Sequence, residues 1–319
     1  MLATKHSFAN GVGERCPATA LTTIQCVTAP VGTVREEDHV TGDITLQWDA
    51  TDATMLYAKW GNGYKAGGFD EDNPRGYFED AEFEDEESQS IEIGAKMDLW
   101  DGRGRLNVAV FSSQFDDVQV STFDGNAGFV VGNAAETEVQ GVELDGMVAV
   151  TDELTISYGL AYLDATYDSF PDAGCTSDQV TDWVANGGVA NQCVQDLSGK
   201  PLQFAPEWAG NLGLLYSTPI GDSLEINLSA DVMYSDEYDV AADGDEILAQ
   251  DSFSKVNARI ELANVDGVWS VALLGKNLTD ETTTTWGNDI PLGGFGFAGS
   301  YFQMLDAPRS YVVQAKYSF

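Results

Sequence analysis

Positive charge is what this 319-residue sequence has least of: 15 Lys and Arg stand against 52 Asp and Glu, for a formal net charge of -37. Such a chain repels phosphate backbones instead of neutralising them, so nucleic acid is excluded as a partner. Long apolar runs are missing as well. Although 43% of the residues are hydrophobic, nothing approaches the roughly 18 to 20 consecutive apolar residues that a spanning helix needs. A helical membrane protein is therefore excluded. Histidine occurs only as His6 and His39, and there is no HExxH, no GxSxG, no P-loop and no GxGxxG ahead of a helix. With these gone, no catalytic residue and no cofactor is expected. Carboxylate pairs are inevitable among 52 acids and do not argue for a glycosidase.

Cysteine is scarce but placed in two local pairs, Cys16 with Cys26 and Cys175 with Cys193, each inside a loop-like segment. Two local disulfides in an oxidising compartment are expected. A zinc site is the alternative, but neither pair has CxxC spacing and histidines are few, so no metal is expected. The opening MLATKHSFANGVGER carries neither the basic patch nor the apolar run of an export signal. Either that signal was removed or the chain is incomplete.

What is present is alternation. From residue 42 onward apolar and polar residues repeat with period two, the mark of strands whose faces meet different surroundings. Leu154, Ile156, Tyr158, Leu160 and Tyr162 share one face, with Thr155, Ser157, Gly159 and Ala161 on the other. Strands are expected near 42–49, 54–64, 88–100, 105–123, 136–150, 154–167, 207–217, 223–238, 254–265, 268–279 and 309–319. Many exceed the five or six residues usual in soluble sheets and match the roughly 9 to 11 that a tilted strand needs to cross a bilayer.

The connections sharpen this. Short ones (50–53, 101–104, 151–153, 218–222, 266–267) alternate strictly with long ones (65–87, 124–135, 168–206, 239–253, 280–308). Short periplasmic turns and long extracellular loops are the habit of outer-membrane barrels. The last strand then ends in the periplasm, residue 42 lies at the outer surface, and residues 1–41 form another extracellular loop, with 42–319 as wall. Bacterial single-chain barrels have even strand numbers, so eleven strands that start outside imply missing wall upstream.

Trp48, Trp100, Trp208, Tyr234, Trp269 and Tyr317 sit near expected strand ends, where aromatic girdles lie; packing between two sheets is the alternative. Glu92, Lys96, Asp98, Glu143, Asp145, Asn227, Asp231, Asn257, Arg259 and Glu261 fall on the opposite, wet face. Ten acids crowd into residues 70–87 with Arg75 as the single base, a stretch that must be solvated. The run Asp239 to Glu246 offers oxygen ligands around Gly244 but misses calcium-loop spacing, and is expected to be a polar loop.

Five segments in order, MLYAKWGNGYKAGGFD (55–70), AETEVQGVELDG (135–146), PLQFAPEWAGNLGLLY (201–216), LLGKNLTDE (273–281) and APRSYVVQAKYSF (307–319), resemble the barrel of TonB-dependent outer-membrane receptors. The resemblance covers roughly residues 40–319. It implies an all-β, antiparallel transmembrane barrel of which about eleven strands are present, the C-terminal half of a 22-stranded wall, with the plug domain absent. It also implies energised uptake of a scarce nutrient, such as a ferric siderophore, cobalamin or carbohydrate. The partners implied are outer-membrane lipid, a missing N-terminal half and plug, the TonB complex through that plug, and the barrel assembly machinery, which would read the terminal Phe319. Candidate ligand contacts are the loop residues Tyr64, Lys65, Phe69, Trp183, Trp286, Phe295, Phe297, Tyr301 and Phe302, chosen for large contact area at modest entropic cost. Two other classes stand beside this one: a complete small barrel acting as a pore or adhesin, with a twelfth strand hidden before residue 42, and a secreted β-sandwich binding module.

Overall fold

The structure, a computed structural model, describes residues 14–15, 27–28, 35–70, 82–123, 129–133, 136–289 and 300–319. Eleven long strands form one antiparallel sheet in strict chain order. They are β1 (Gly42–Thr51), β2 (Thr54–Lys65), β3 (Glu86–Leu99), β4 (Gly104–Asp116), β5 (Glu136–Ala149) and β6 (Leu154–Ser169). They continue as β7 (Trp208–Ile220), β8 (Leu224–Ser235), β9 (Phe253–Asn264), β10 (Trp269–Lys276) and β11 (Ser310–Tyr317). All eleven expected strands are there. Between them, connections of two to four residues at one end alternate with long excursions at the other. The last short turn is built on Asp266-Gly267, where Gly267 takes φ 71°, a conformation that glycine adopts without steric cost.

Cross-strand register carries the period-two pattern around the wall, because paired residues share a face. Leu46, Ala58, Ile93, Val110, Val142 and Tyr162 form one apolar row. Tyr216, Leu228, Ile260, Leu273 and Val313 form another. The opposite face is knitted by polar pairs: Asn107 Nδ2 donates to Asp145 at 2.8 Å, Asn257 Nδ2 to Asp231 at 2.7 Å, and the Tyr57 hydroxyl to Glu92 at 2.6 Å. A Cβ at Gly94 would meet the Tyr57 ring at 2.5 Å, so glycine there lets the tyrosine lie across β3 to reach its partner.

The aromatics do not belong to an inter-sheet core. Trp48, Trp100, Trp269 and Tyr317 cluster at the short-turn end, Trp208 and Tyr234 at the other. None is buried, and no second sheet packs against the wall among the described residues. The buried apolar residues lie almost wholly at the long-connection end, in two clusters around Tyr167, Phe170, Ala173 and Leu197, and around Val240, Ala241 and Leu248. A β-sandwich is thereby ruled out.

Three expectations need correcting. The strand expected at 105–123 is two: β4 stops at Asp116 because Asp117 turns to φ 55°, and 119–123 pairs with 129–133 in a hairpin outside the wall. The strand expected to reach 279 stops at Lys276, where Asn277 takes φ 49° and its side chain accepts from the Glu281 N–H at 3.0 Å. The 170–207 connection holds a helix, α1 (Ser177–Ala185), started by a capping box between Thr176 and Gln179. No helix among the described residues is long and apolar enough to cross a membrane. The twelfth strand required for a small closed barrel does not appear among the described residues: Val27–Thr28 pairs with Glu14–Arg15, and β1 and β11 each keep one free edge.

Candidate ligand mouth at the long-connection end

The long connections pack into a crown, and two charged clusters organise it. In the first, Arg35 is the hub. Its guanidinium donates to Glu37, Glu82, Glu84 and Asp85, with the Glu82 bond at 2.9 Å and the Asp85 bond at 3.1 Å. His39 stacks on Tyr64 at 4.2 Å and sets its two ring nitrogens 3.1 Å from Asp85 and 3.4 Å from Glu87. His39, Asp85 and Glu87 could hold a metal ion, since their ligand atoms lie within 4.8 Å of one another. The Arg35 cation already sits on Asp85, however, and disfavours a second positive charge there. Gln119 and Asn133 tie the neighbouring loop on, each donating to the Glu84 carbonyl.

The second cluster joins the 170–207, 236–252 and 277–309 connections. The Cys175–Cys193 disulfide closes the first of these around α1. Gln195 Nε2 donates to the carbonyls of Gly174 and Asp243, at 2.7 and 2.8 Å. The Ser177 N–H, at the start of α1, donates to Asp289 Oδ2 at 2.6 Å. Asp243 and Asp289 are 6% and 2% exposed, and neither forms an ion pair among the described residues. Burial pushes the Asp243 carboxyl up to about 7, with Asp289 adding to the rise, and burial raises Asp289 also. Nearby, Lys255 donates to Thr283 and Asp306, and that hydrogen bond holds the Asp306 carboxyl below the usual range.

The residues expected to contact ligand are spread over this crown. Tyr64 is engaged by His39, and Lys65 is mostly exposed, 3.7 Å from Glu86. Phe69 pairs with Glu82 in a small hairpin. Trp183 projects from α1, 45% exposed, with its indole N–H on the Val189 carbonyl at 3.0 Å. Trp286 and Phe302 come together, ring centroids 5.0 Å apart, on the hairpin Thr284–Asp289 with Tyr301–Leu305, where Tyr301 is exposed. Phe295 and Phe297 lie outside the described residues, as do Cys16 and Cys26. Arg35 and Asp289 carry no signal in the sequence; His39 stands out there only as one of two histidines, and Asp243 only as part of the oxygen-rich run Asp239 to Glu246.

Residues 19–278 match the family model described as TonB dependent receptor-like, beta-barrel. The chain belongs to this family. Within it, the eleven strands correspond to the C-terminal barrel portion of full receptors. Members of the family are receptors of the outer membrane and not enzymes. A probable TonB-dependent siderophore receptor of Acinetobacter baumannii, PiuA, is 31% identical over 123 residues, which make up 39% of this chain and 15% of that protein. The solved siderophore receptor PiuA from Acinetobacter baumannii superposes with a TM-score of 0.66 at 21% identity, over 93% of this chain and 38% of that one. The ferric yersiniabactin uptake receptor FyuA from Yersinia pestis does so with a TM-score of 0.69 at 17% identity, over 92% of this chain and 40% of its own. At these identities the likeness is one of fold, and this receptor-family chain spans about two-fifths of the solved receptors it matches.

Proposed function

We propose that the chain forms the C-terminal wall and outer mouth of an outer-membrane receptor that takes up a scarce nutrient when TonB pulls on a plug. The observation that carries this reading is the eleven-stranded meander with strictly alternating connections, in a chain of this family. In this reading the long connections face outward, β11 ends in the periplasm, and residues 1–41 add one more outer loop. The free edges of β1 and β11 pair with an N-terminal half of the wall, because lipid does not tolerate unpaired backbone groups. Phe319, exposed beside Tyr317, serves as the assembly signal.

The mouth would use Tyr64, Lys65, Phe69, Trp183, Trp286, Tyr301 and Phe302, with Phe295 and Phe297 on the same connection as the last three. Acids dominate the crown around them, which favours a ligand complex of zero or positive charge over an anionic one. A ferric siderophore of that charge is the leading candidate, because relatives are named as siderophore receptors. Orientation is tested by placing Cys at exposed Asp172 and at Asp222 in a short turn, then labelling intact cells with an impermeant maleimide. Labelling of 172 alone is expected, and the reverse pattern overturns the orientation. Recovery of the chain as a detergent-free soluble monomer overturns the barrel. For the ligand, equilibrium binding to a panel of ferric chelates should rank neutral and cationic ones above anionic ones, with Trp286→Ala weakening binding about tenfold.

A further inference from the structure

Two clefts meet at the long-connection end of β6, against the 236–252 connection. The first, about 740 Å³, is lined by Tyr167, Lys200 and Gln203 together with Glu237, Asp239 and Glu246. The second, about 560 Å³, shares Pro201 and those three acids with it, and is lined by seven carboxylates and no base among the described residues. Each falls within the roughly 300 to 1,000 Å³ of small-molecule sites. Tyr167 is 5% exposed, its ring centroid 5.0 Å from that of Phe170, yet its hydroxyl has no hydrogen-bond partner among the described residues. A phenol held this firmly at a cleft wall, with its polar end unpaired, needs a partner from within the cleft. Asp239, half-buried and lining both clefts, has a carboxylate that likewise accepts no hydrogen bond and forms no ion pair among the described residues, although Lys200 lines the first cleft beside it. Burial, with Glu246 and Glu237 adding to it, pushes the Asp239 carboxyl up against the pull of Lys200. A positive group brought here relieves that cost. The acids are spread along the clefts, and no three of them gather within metal-ligation distance among the described residues. An elongated organic cation meets them one after another, and its N–H donors suit both carboxylates and a phenol oxygen.

We infer that the two clefts form a subsite for an organic ammonium or guanidinium group, in which Asp239 pairs with the charge and the Tyr167 hydroxyl accepts one of its N–H bonds. Its role, holding an amine-bearing nutrient at the outer mouth, rests on the receptor reading proposed above, whereas its chemistry does not. Tyr167 stands in the sequence only as the last residue of an expected strand, so burial and the missing partner are what mark it.

The test uses the full chain purified in detergent and titrated with spermidine, a linear amine cation, with heat of binding and amide hydrogen exchange both read. Exchange in peptides from 197–206 and 237–249 should slow about tenfold or more with spermidine, and not with triethylene glycol, a neutral chain of similar length, or with K⁺ at matched ionic strength. Asp239→Asn should weaken binding by about tenfold or more. Tyr167→Phe, which keeps the ring against Phe170, should weaken it about fivefold. Asp172→Asn, an exposed acid outside the clefts, should leave it unchanged. Spermidine without effect, an equal effect of triethylene glycol or K⁺, protection confined to 82–87, or unchanged binding in Asp239→Asn or Tyr167→Phe overturns the subsite. Because the titration is run in detergent, its outcome is independent of the Asp172 labelling that tests the receptor's orientation, and either can fail without the other.

Discussion

The crown holds two gatherings of carboxylates, and they reach neutrality by different routes. Around Arg35, four acids from the 66–85 connection and the segment before β1 meet a guanidinium and an imidazole supplied by the chain itself. Around Asp243 and Asp289 burial is deeper, and backbone N–H groups help where no base does: Asp245 donates to Asp243 and Ser177 to Asp289. With 15 bases for 52 acids, the chain places a base where acids are numerous and leaves the sparse, buried pair to backbone N–H donors. The first cluster is neutralised by bases, and in the second burial raises the carboxyls toward their neutral form.

Replacing Cys175 and Cys193 together by Ser should cost about 3 kcal/mol through the freed 18-residue loop, seen as a lower denaturation midpoint and faster exchange in α1. The Arg35 cluster should feel little of it, and an equal loss there would mean the two clusters are one. Arg35→Met should cost about 2 kcal/mol, less than a fully buried pair because Glu82 and Glu84 open to water. Exchange should rise in 82–87 and stay unchanged at 236–252. Asp289→Ala removes the acceptor of the Ser177 N–H and should cost roughly 1 to 2 kcal/mol, read as fraying of 177–185.

The smallest effect concerns Asp306. Lys255 depresses its carboxyl in the fold, so its contribution is present above the unfolded value of 3.8 and is lost as pH falls below that. Exchange in 277–289 should therefore quicken under acid, and Asp306→Asn should remove that pH dependence. A residual acid response of the same size in the variant would shift the credit to another group.

Much of the wall was legible because its physics is local. Leu46, Ile93, Val110 and Val142 are placed on one face by period two alone, and Asp266-Gly267 announces its own turn. Strand ends were harder. Asp117 and Asn277 leave the extended region through positive φ, which Asn and Asp tolerate but nothing in the alternation marks. Helix α1 had a signal in Thr176 and Gln179, yet a nine-residue helix inside a long connection is easily lost beside stronger strand patterns. Of the aromatic ligand candidates, the structure brings Trp286 and Phe302 together and ties Tyr64 to His39. Spacing could not foresee either contact.

By itself, then, the sequence determined an antiparallel wall with two chemically different faces, its strand count, its two classes of connection and one disulfide. These follow from side-chain alternation and chain punctuation, which act between near neighbours. The crown was decided only in three dimensions. Arg35 reaches Glu82 across 47 positions and Asp289 reaches Ser177 across 112, and such partners are chosen by where the wall delivers each connection. Burial then turned an ordinary acidic loop into a carboxylate pair whose pKa values are raised, because the same Asp243 would cost nothing in water.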